Sequence, residues 1–99
     1  MANKEVEFHE AASLELEAAF DWYLNRSESA AARFLADLNS AVAKIAEAPH
    51  RWPEGKHGTR KFLLRRFPFA VVYRELPSYI QVLAVAHGHR RPGYWRDRL

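Results

Sequence analysis

The stretch FAVVYRELPSYIQVLAVA, residues 69–86, decides the fold that this sequence predicts. It holds two apolar runs, residues 69–73 and 79–86, on either side of Leu76-Pro77-Ser78, whose composition is typical of a turn. Valine, isoleucine and tyrosine favour extended backbone, so the two runs predict neighbouring antiparallel strands. Because residues 69–73 are apolar on both faces, they indicate a central strand of a sheet.

The segments before this pair of strands extend the sheet. Residues 61–64 form another apolar run, followed by a turn at Pro68, and predict a strand that precedes the pair. Residues 6–8 alternate apolar and polar side chains and predict a short first strand. Residues 50–59, which include one proline and two glycines, are interpreted as a loop.

Between the first strand and this loop the hydrophobic period becomes that of helices. From Glu10 the apolar side chains recur on one side of a helix, which the sequence Asn25-Arg26-Ser27 interrupts. Ser27 or Ser29 caps a second helix, and Pro49 stops it because proline disfavours helical backbone at the preceding residue. So short a connection predicts an antiparallel helical hairpin. The two apolar stripes consist of Ala12, Leu16, Ala19, Phe20, Tyr23 and Leu24, and of Ala31, Phe34, Leu35, Leu38, Ala41, Val42 and Ile45.

The predicted order is therefore β-α-α-β-β-β in a single α+β domain over residues 1–99, with the helical hairpin packed on one face of a mostly antiparallel sheet. A chain of 99 residues is long enough for one modest core. It has no cysteine, which excludes disulfides and thiolate metal sites. Neither a signal peptide nor an apolar run of membrane-spanning length is visible, so we expect a soluble protein of the cytoplasm.

The charged side chains divide sharply between the two halves of the chain. Residues 1–48 carry a net charge of −5, whereas residues 49–99 carry +8. A molecule polarised in this way presents one strongly positive region. The distribution indicates an anionic partner, which is either nucleic acid or an acidic protein.

The face of the sheet opposite the helices is the first candidate for function, because the predicted fold leaves it uncovered. Clustered guanidinium groups bind phosphates and carboxylates through planar forks of donors. The arginines on strand ends or just beyond them are Arg60, Arg65, Arg66, Arg74, Arg90 and Arg91.

The sequence AHGHRRPGYW, residues 86–95, adds groups capable of acid/base chemistry. His87 and His89 have a spacing that suits a metal, but no carboxylate or cysteine accompanies them, so no metal site is predicted. Alternatively, His87 between arginines and near Tyr94 supports RNA cleavage without a metal, or it simply caps the last strand. The chain has no glycine-rich phosphate loop, and we expect no cofactor.

The three tryptophans are candidate contacts for a partner protein. Trp22 lies off the apolar stripe of the first helix, so its indole either packs over the helical hairpin or marks an exposed apolar patch. Trp52 and Trp95 flank the basic half, where indoles commonly anchor interfaces. Trp95 has the alternative of folding back under the edge of the sheet.

With these elements assembled, the sequence resembles the RelE/ParE family of bacterial type II toxins. The resemblance rests on VEFHEAASLELEAAFDWY, RFLADLNSAVAKIAEAPHRWP, RKFLLRRFPFAVVYRE and IQVLAVAHGHRRPGYW, in this order. It implies a cytosolic toxin neutralised by a co-expressed antitoxin whose C-terminal region wraps the toxin and is usually acidic. It also implies a toxin–antitoxin assembly that binds operator DNA through the antitoxin.

The family has two well-known activities, and three positions of this sequence can be compared with the branch that has the first of them. The RelE branch cuts mRNA on the ribosome without a metal, and the ParE branch inhibits DNA gyrase. At two positions where the nuclease branch typically has arginine, this sequence has Ala70 and Gly88. Tyr94, however, matches the C-terminal tyrosine of that branch. The FPFAVVYR form is more similar to the ParE branch, so the resemblance implies a toxin that inhibits gyrase by binding.

Two alternatives stay open, namely a metal-independent mRNA endoribonuclease and a non-toxic nucleic-acid-binding or interaction module. The catalytic candidates of the nuclease are Arg74, His87, Arg91 and Tyr94. The predicted target-binding residues are Arg65, Arg66, Arg74, His87, His89, Arg90, Arg91, Tyr94 and Trp95. The predicted antitoxin-binding residues are Trp22, Trp52, Arg60 and Arg66.

Overall fold

The computed structural model describes residues 4–99 and confirms the predicted α+β order. Three short 3₁₀ turns accompany the helices and strands, at Pro49–Arg51, Lys56–Gly58 and Arg96–Arg98. The helices and strands are β1 (Glu5–Phe8), α1 (Glu10–Leu24), α2 (Glu28–Glu47), β2 (Thr59–Leu63), β3 (Phe69–Glu75) and β4 (Tyr79–His87).

The sheet is four-stranded, in the order β1-β4-β3-β2, and mostly antiparallel as predicted. β1 runs parallel to the first half of β4, while β2, β3 and β4 form an antiparallel meander. A bulge interrupts the β3–β4 register, because Val72 lies opposite Ala84 but Tyr73 lies opposite Val82. The extra residue, Leu83, therefore points away from the helices together with Ala84.

The helical hairpin covers the other face of the sheet, called here the inner face. Ser27, rather than Ser29, caps α2, with its hydroxyl oxygen accepting the Ala30 N–H at 3.2 Å. α2 ends at Glu47, shortly before Pro49, as the sequence predicts. The core between the layers includes the fully buried Phe34, whose ring contacts those of Tyr23, Phe67 and Phe69.

β2 begins two residues earlier and ends one residue earlier than predicted. The end of the preceding loop already pairs with its start, since the Gly55 N–H donates to the Thr59 carbonyl at 2.7 Å. The chain then turns at Leu64, whose N–H donates to the Phe69 carbonyl at 2.9 Å. This local pairing, rather than side-chain hydrophobicity, sets the bounds of the strand.

The outer face of the sheet is not left uncovered, and that expectation is wrong. Residues 88–99, called here the C-terminal segment, fold back across it. Trp95 is only 6% exposed and packs against Val72, Leu83 and Ala84. Within residues 4–99, no helix is long and apolar enough to cross a membrane.

Candidate functional site

A carboxylate on α1 ties the C-terminal segment to the sheet. β1 ends at Phe8, so the edge of β4 beyond Val82 has no neighbouring strand. Glu15 takes the place of one, because its Oε1 accepts the Val85 N–H at 3.0 Å. Arg98 completes this edge by donating Nη1 to the Leu83 carbonyl at 2.9 Å. Side chains thus satisfy backbone groups that would otherwise be exposed at the sheet edge.

The same carboxylate joins three groups that lie far apart in sequence. Arg98 binds both oxygens of Glu15, at 3.0 and 2.9 Å, and the Tyr94 hydroxyl donates to Oε2 at 2.7 Å. Both charged side chains are largely buried, with 15% of Arg98 and 17% of Glu15 exposed. Burial acts to raise the pKa of Glu15, but the hydrogen bonds from Arg98, Tyr94 and Val85 outweigh it and lower that pKa. Glu15 is therefore an ionised anchor at neutral pH.

Beside this anchor lies a groove of about 440 Å³ between α1, β4 and the C-terminal segment, called here the α1–β4 groove. Its walls are mainly aromatic and aliphatic, which is typical of a surface that buries an apolar partner group. Trp22 is 52% exposed on one wall, so its indole is available to such a group. The lining residues are Glu15, Ala18, Ala19, Trp22, Tyr23, Pro68, Phe69, Val85, His87, Arg90 and Tyr94.

Two arginines lie over the aromatic walls of the α1–β4 groove. The Arg90 guanidinium lies 3.8 Å from the centre of the Tyr94 ring. The Arg26 guanidinium lies 3.5 Å from the centre of the Trp22 ring. Such stacking orders the guanidinium groups, and it leaves N–H donors that can meet an anion, although Arg26 Nη1 already donates to the Trp22 carbonyl at 3.0 Å. The groove therefore combines an apolar lining with positive charge, which suits an amphipathic, acidic partner surface.

Most of the predicted target-binding residues lie at the end of the sheet that borders this groove. The β2–β3 turn and the residues after β4 are joined there, because the Gly88 N–H donates to the Pro68 carbonyl at 2.8 Å. His87 also reaches this end and stacks edge-on against Phe69, with ring centres 5.1 Å apart. Exposed side chains on the two joined segments are Arg65, Arg66, His89, Arg90 and Arg91.

Arg74 does not join them. It lies opposite Gln81 in the β3–β4 register, whereas His87 lies opposite Phe69 at the other end of β3. The two pairs are five positions apart along β3, which corresponds to about 17 Å. Arg74 points to the outer face and donates Nε to Gln81 Oε1 at 2.9 Å, whereas His87 lies on the inner face with Phe69. Arg74 and His87 therefore cannot act together on a single phosphodiester.

Tyr94 and His87 are also engaged in structural contacts, whereas Arg91, the fourth nuclease candidate, is exposed. The Tyr94 hydroxyl donates to Glu15, and burial together with this hydrogen bond raises the pKa of Tyr94 to about 12. His87 Nδ1 accepts the His89 N–H at 3.0 Å, which is the strand-capping role that the sequence left open. Trp95, predicted to bind the target, is buried because its side chain packs from the C-terminal segment onto the outer face of the sheet. Its side chain is not available to a partner.

The four predicted antitoxin-binding residues are split between two places. Trp22 lines the α1–β4 groove, and Arg66 is exposed in the nearby β2–β3 turn. Trp52 is half-buried and packs against Phe62, with ring centres 4.8 Å apart. Arg60 is held by the Trp52 carbonyl at 2.6 Å and by Glu54 at 3.2 Å, so it supports the loop before β2.

A second depression, of about 720 Å³, lies on the outer face between β2 and the C-terminal segment and is called here the basic cleft. Its exposed cationic side chains are those of Lys56, Lys61 and Arg96. None of them forms an ion pair with another residue of the part of the chain described, 4–99. In the same part of the chain, no three histidine, aspartate or glutamate side chains come together as a metal site.

Sequence reasoning missed Glu15 and Arg98, although the sequence holds a signal for the first. Glu15 lies within the apolar stripe of α1, three residues after Ala12 and four before Ala19, both of which are buried. A carboxylate at such a position needs a buried partner. Arg98 offers no comparable local signal, because it meets Glu15 only after the C-terminal segment has folded back.

The comparisons with known proteins agree with this architecture. Residues 6–92 match the family model described as "ParE toxin of type II toxin-antitoxin system, parDE". Among solved structures, a chain of the chromosomal ParDE TA system from P. aeruginosa is similar with a TM-score of 0.74 and 22% sequence identity. The similarity covers 85% of this chain and 95% of that chain, and at this identity it shows the fold. No curated protein matches the sequence significantly.

Proposed function

This chain belongs to the ParE toxin family of type II toxin–antitoxin systems, and from that premise we propose that it inhibits DNA gyrase by binding. It acts in the cytoplasm, where a cognate antitoxin neutralises it. The toxin–antitoxin assembly binds operator DNA through the antitoxin. No cofactor enters this proposal.

One observation carries the choice of a binding toxin over a nuclease. Arg74 and His87 lie on opposite faces and about 17 Å apart along β3. A general acid or base must come within hydrogen-bond reach of the atom that it protonates, and a charge-stabilising group must be equally close to the developing charge. Tyr94 does not replace either residue, because its hydroxyl is bound to Glu15. Arg74 and His87 are therefore not assembled around one substrate atom, which supports a binding toxin over a nuclease that uses this pair.

The α1–β4 groove supports the binding role. It offers the exposed Trp22 indole, an aromatic floor at Phe69 and the charge of Arg90 at one place. Interfaces draw most of their binding energy from a few aromatic and arginine side chains in such pockets. We assign the target-binding surface to this groove and to the exposed arginines at the same end of the sheet.

The test is inhibition of purified DNA gyrase by the purified chain, with supercoiling and covalent gyrase–DNA cleavage complexes as readouts. The expected result is a loss of supercoiling activity together with intact mRNA in ribosome-containing reactions. Arg90→Ala should weaken the inhibition at least tenfold, since it removes a charge at the groove. Arg74→Ala is the matched arginine control and should retain inhibition within about twofold.

The opposite results identify the alternatives. Cleavage of mRNA that Arg74→Ala and His87→Ala each abolish would show a nuclease and overturn the proposed function. Salt-sensitive nucleic-acid binding without gyrase inhibition or growth arrest would show the non-toxic binding module.

A further inference from the structure

The end of the sheet beside the α1–β4 groove carries four arginines whose charges are not offset. They are Arg65 and Arg66 in the β2–β3 turn and Arg90 and Arg91 after β4, called here the arginine cluster. All four are exposed, and within residues 4–99 none of them forms an ion pair. The segments that carry them, residues 64–69 and 87–94, contain no aspartate or glutamate. The cluster is therefore a local excess of positive charge.

The backbone that carries the arginine cluster is ordered by hydrogen bonds. The Gly88 N–H donates to the Pro68 carbonyl at 2.8 Å, which joins the two segments. The Arg90 N–H donates to the His87 carbonyl at 3.0 Å and closes the turn after β4. The Arg90 guanidinium also stacks on the Tyr94 ring, 3.8 Å from its centre. Groups held in this way lose little conformational entropy when they meet a ligand.

The arginine cluster offers charge without an apolar anchor. No large hydrophobic side chain of its two segments is exposed, since the rings of Phe67 and Phe69 pack against Phe34. Protein interfaces need aromatic and apolar groups at their centre. Single-stranded nucleic acid is bound largely by stacking its bases on aromatic side chains. The phosphate backbone of a duplex needs only the guanidinium donors.

We propose that the arginine cluster binds the phosphate backbone of duplex DNA, while the α1–β4 groove contacts gyrase. The toxin then recognises gyrase that holds DNA. The inference rests on the proposed function for the source of the DNA, because gyrase acts on duplexes. Phosphate contacts carry no sequence information, so this binding is independent of sequence. It is separate from operator binding, which the proposed function assigns to the antitoxin.

Other partners and another surface fit the observations less well. A second copy of the chain would bring two arginine clusters together, and like charges repel. An acidic protein would meet the charges but would lack the apolar contacts that supply most interface energy. Glu15, the carboxylate at the groove, is already paired with Arg98 and does not offset the cluster. The basic cleft is less purely positive, because Glu54 also lines it.

The experiment measures binding of the purified full chain to a fluorescently labelled short DNA duplex by fluorescence anisotropy, without gyrase. Each phosphate contact adds about −0.9 to the slope of log K against log salt concentration, so four contacts predict a slope of about −3.6. This slope corresponds to a loss of affinity of roughly 150-fold between about 50 and 200 mM salt. A duplex of unrelated sequence should bind equally well.

Variants test whether these arginines make the contacts. The Arg65→Gln/Arg66→Gln double variant should reduce the magnitude of the slope by about 1.8, and Arg91→Gln should reduce it by about 0.9. Arg91→Lys keeps the charge and should retain the full slope. Arg33→Gln, at an exposed position of α2, is the matched control and should leave the slope unchanged. Unchanged thermal unfolding shows that each variant folds.

A second assay connects the arginine cluster to the target. The Arg65→Gln/Arg66→Gln variant should weaken inhibition of gyrase on DNA about tenfold, while its binding to DNA-free gyrase stays within about twofold. Arg90→Ala should weaken both, because Arg90 also lines the α1–β4 groove.

Three outcomes would overturn the inference. One is the absence of salt-dependent binding to the duplex. Another is tighter binding to single-stranded RNA or to a polyglutamate peptide than to the duplex. The third is duplex binding that Lys56→Gln/Lys61→Gln abolishes and the arginine variants do not change, which would assign the DNA to the basic cleft. Gyrase inhibition by the same preparation reports on the proposed function. DNA binding without inhibition refutes that function alone, and inhibition without DNA binding refutes the inference alone.

Discussion

Replacing Glu15 by alanine should be among the most damaging single changes outside the apolar core. The substitution removes the acceptor of the Val85 N–H, the Tyr94 hydroxyl and the Arg98 guanidinium together. Removing one partner of a buried ion pair costs about 3–5 kcal/mol, because the other charge stays buried without a partner. Arg98 retains 15% exposure, so water relieves part of this cost and we expect about 3 kcal/mol. In a domain of this size the loss lowers Tm by roughly 15 °C.

The assay is urea unfolding followed by circular dichroism, with thermal unfolding as a second measurement. Glu17→Ala is the matched control, because Glu17 is exposed on the same helix and should change stability by less than about 0.5 kcal/mol. Arg98→Ala and the Glu15→Ala/Arg98→Ala double variant complete a cycle whose coupling should exceed about 1 kcal/mol. If Glu15→Ala costs no more than Glu17→Ala, the carboxylate does not anchor the C-terminal segment.

Three other perturbations test separate parts of the structure. Because the pKa of Glu15 is lowered by folding, its contribution to stability is present above the pKa of the unfolded chain, about 4.3, and is lost as the pH falls. Glu15→Gln should therefore flatten the acid side of a stability–pH profile measured from urea midpoints. Tyr94, with its pKa raised to about 12, should ionise after an ordinary tyrosine in an ultraviolet titration, and Tyr94→Phe should remove that late step. The raised pKa also means that the stability from Tyr94 is lost as the pH rises from about 10 towards 12. Phe34→Ala should cost about 3–5 kcal/mol in urea unfolding, because Phe34 is fully buried and the vacated space cannot collapse completely.

Local signals in the sequence were sufficient for the helical hairpin. Ser27 and Pro49 mark the start and the end of α2 through backbone effects that act within one turn. The succession of the strands along the chain also followed from local patterns, since Pro68 and Pro77 separate the apolar runs. These features depend on residues close in sequence, which is why they could be predicted.

The coverage of the outer face could not be predicted in the same way. It depends on Glu15 and Arg98, which are 83 residues apart and meet only in the folded chain. The bulge at Leu83 contributes as well, because it turns two consecutive residues, Leu83 and Ala84, towards Trp95. Hydrophobic alternation along β4 does not reveal such a shift, so Trp95 could be assigned either to a partner or to the sheet.

The candidate site was partly predictable for a related reason. The sequence identified the basic residues around Arg90 because they are contiguous after β4, and the turn holding Arg65 and Arg66 meets them at the same end of the sheet. It could not show that Arg74 belongs elsewhere, since that depends on strand register and on face. A charge count identifies a positive half, whereas register decides which of its charges act together.

The two positions that set this chain apart from the nuclease branch, Ala70 and Gly88, are not required by packing. A Cβ at Gly88 would lie 3.7 Å from the Pro68 carbonyl oxygen, which is ordinary van der Waals contact. Gly88 is not among the glycines with positive φ, so its backbone suits any L-residue. Ala70 lies on the outer face beside Leu63, whose 71% exposure shows an open path to solvent for a long side chain. Packing of the first side-chain atoms at these two positions therefore does not explain the absence of arginine there. This chain lacks both guanidinium groups, holds its tyrosine hydroxyl on Glu15 and keeps Arg74 away from His87, and these features support the proposed binding function.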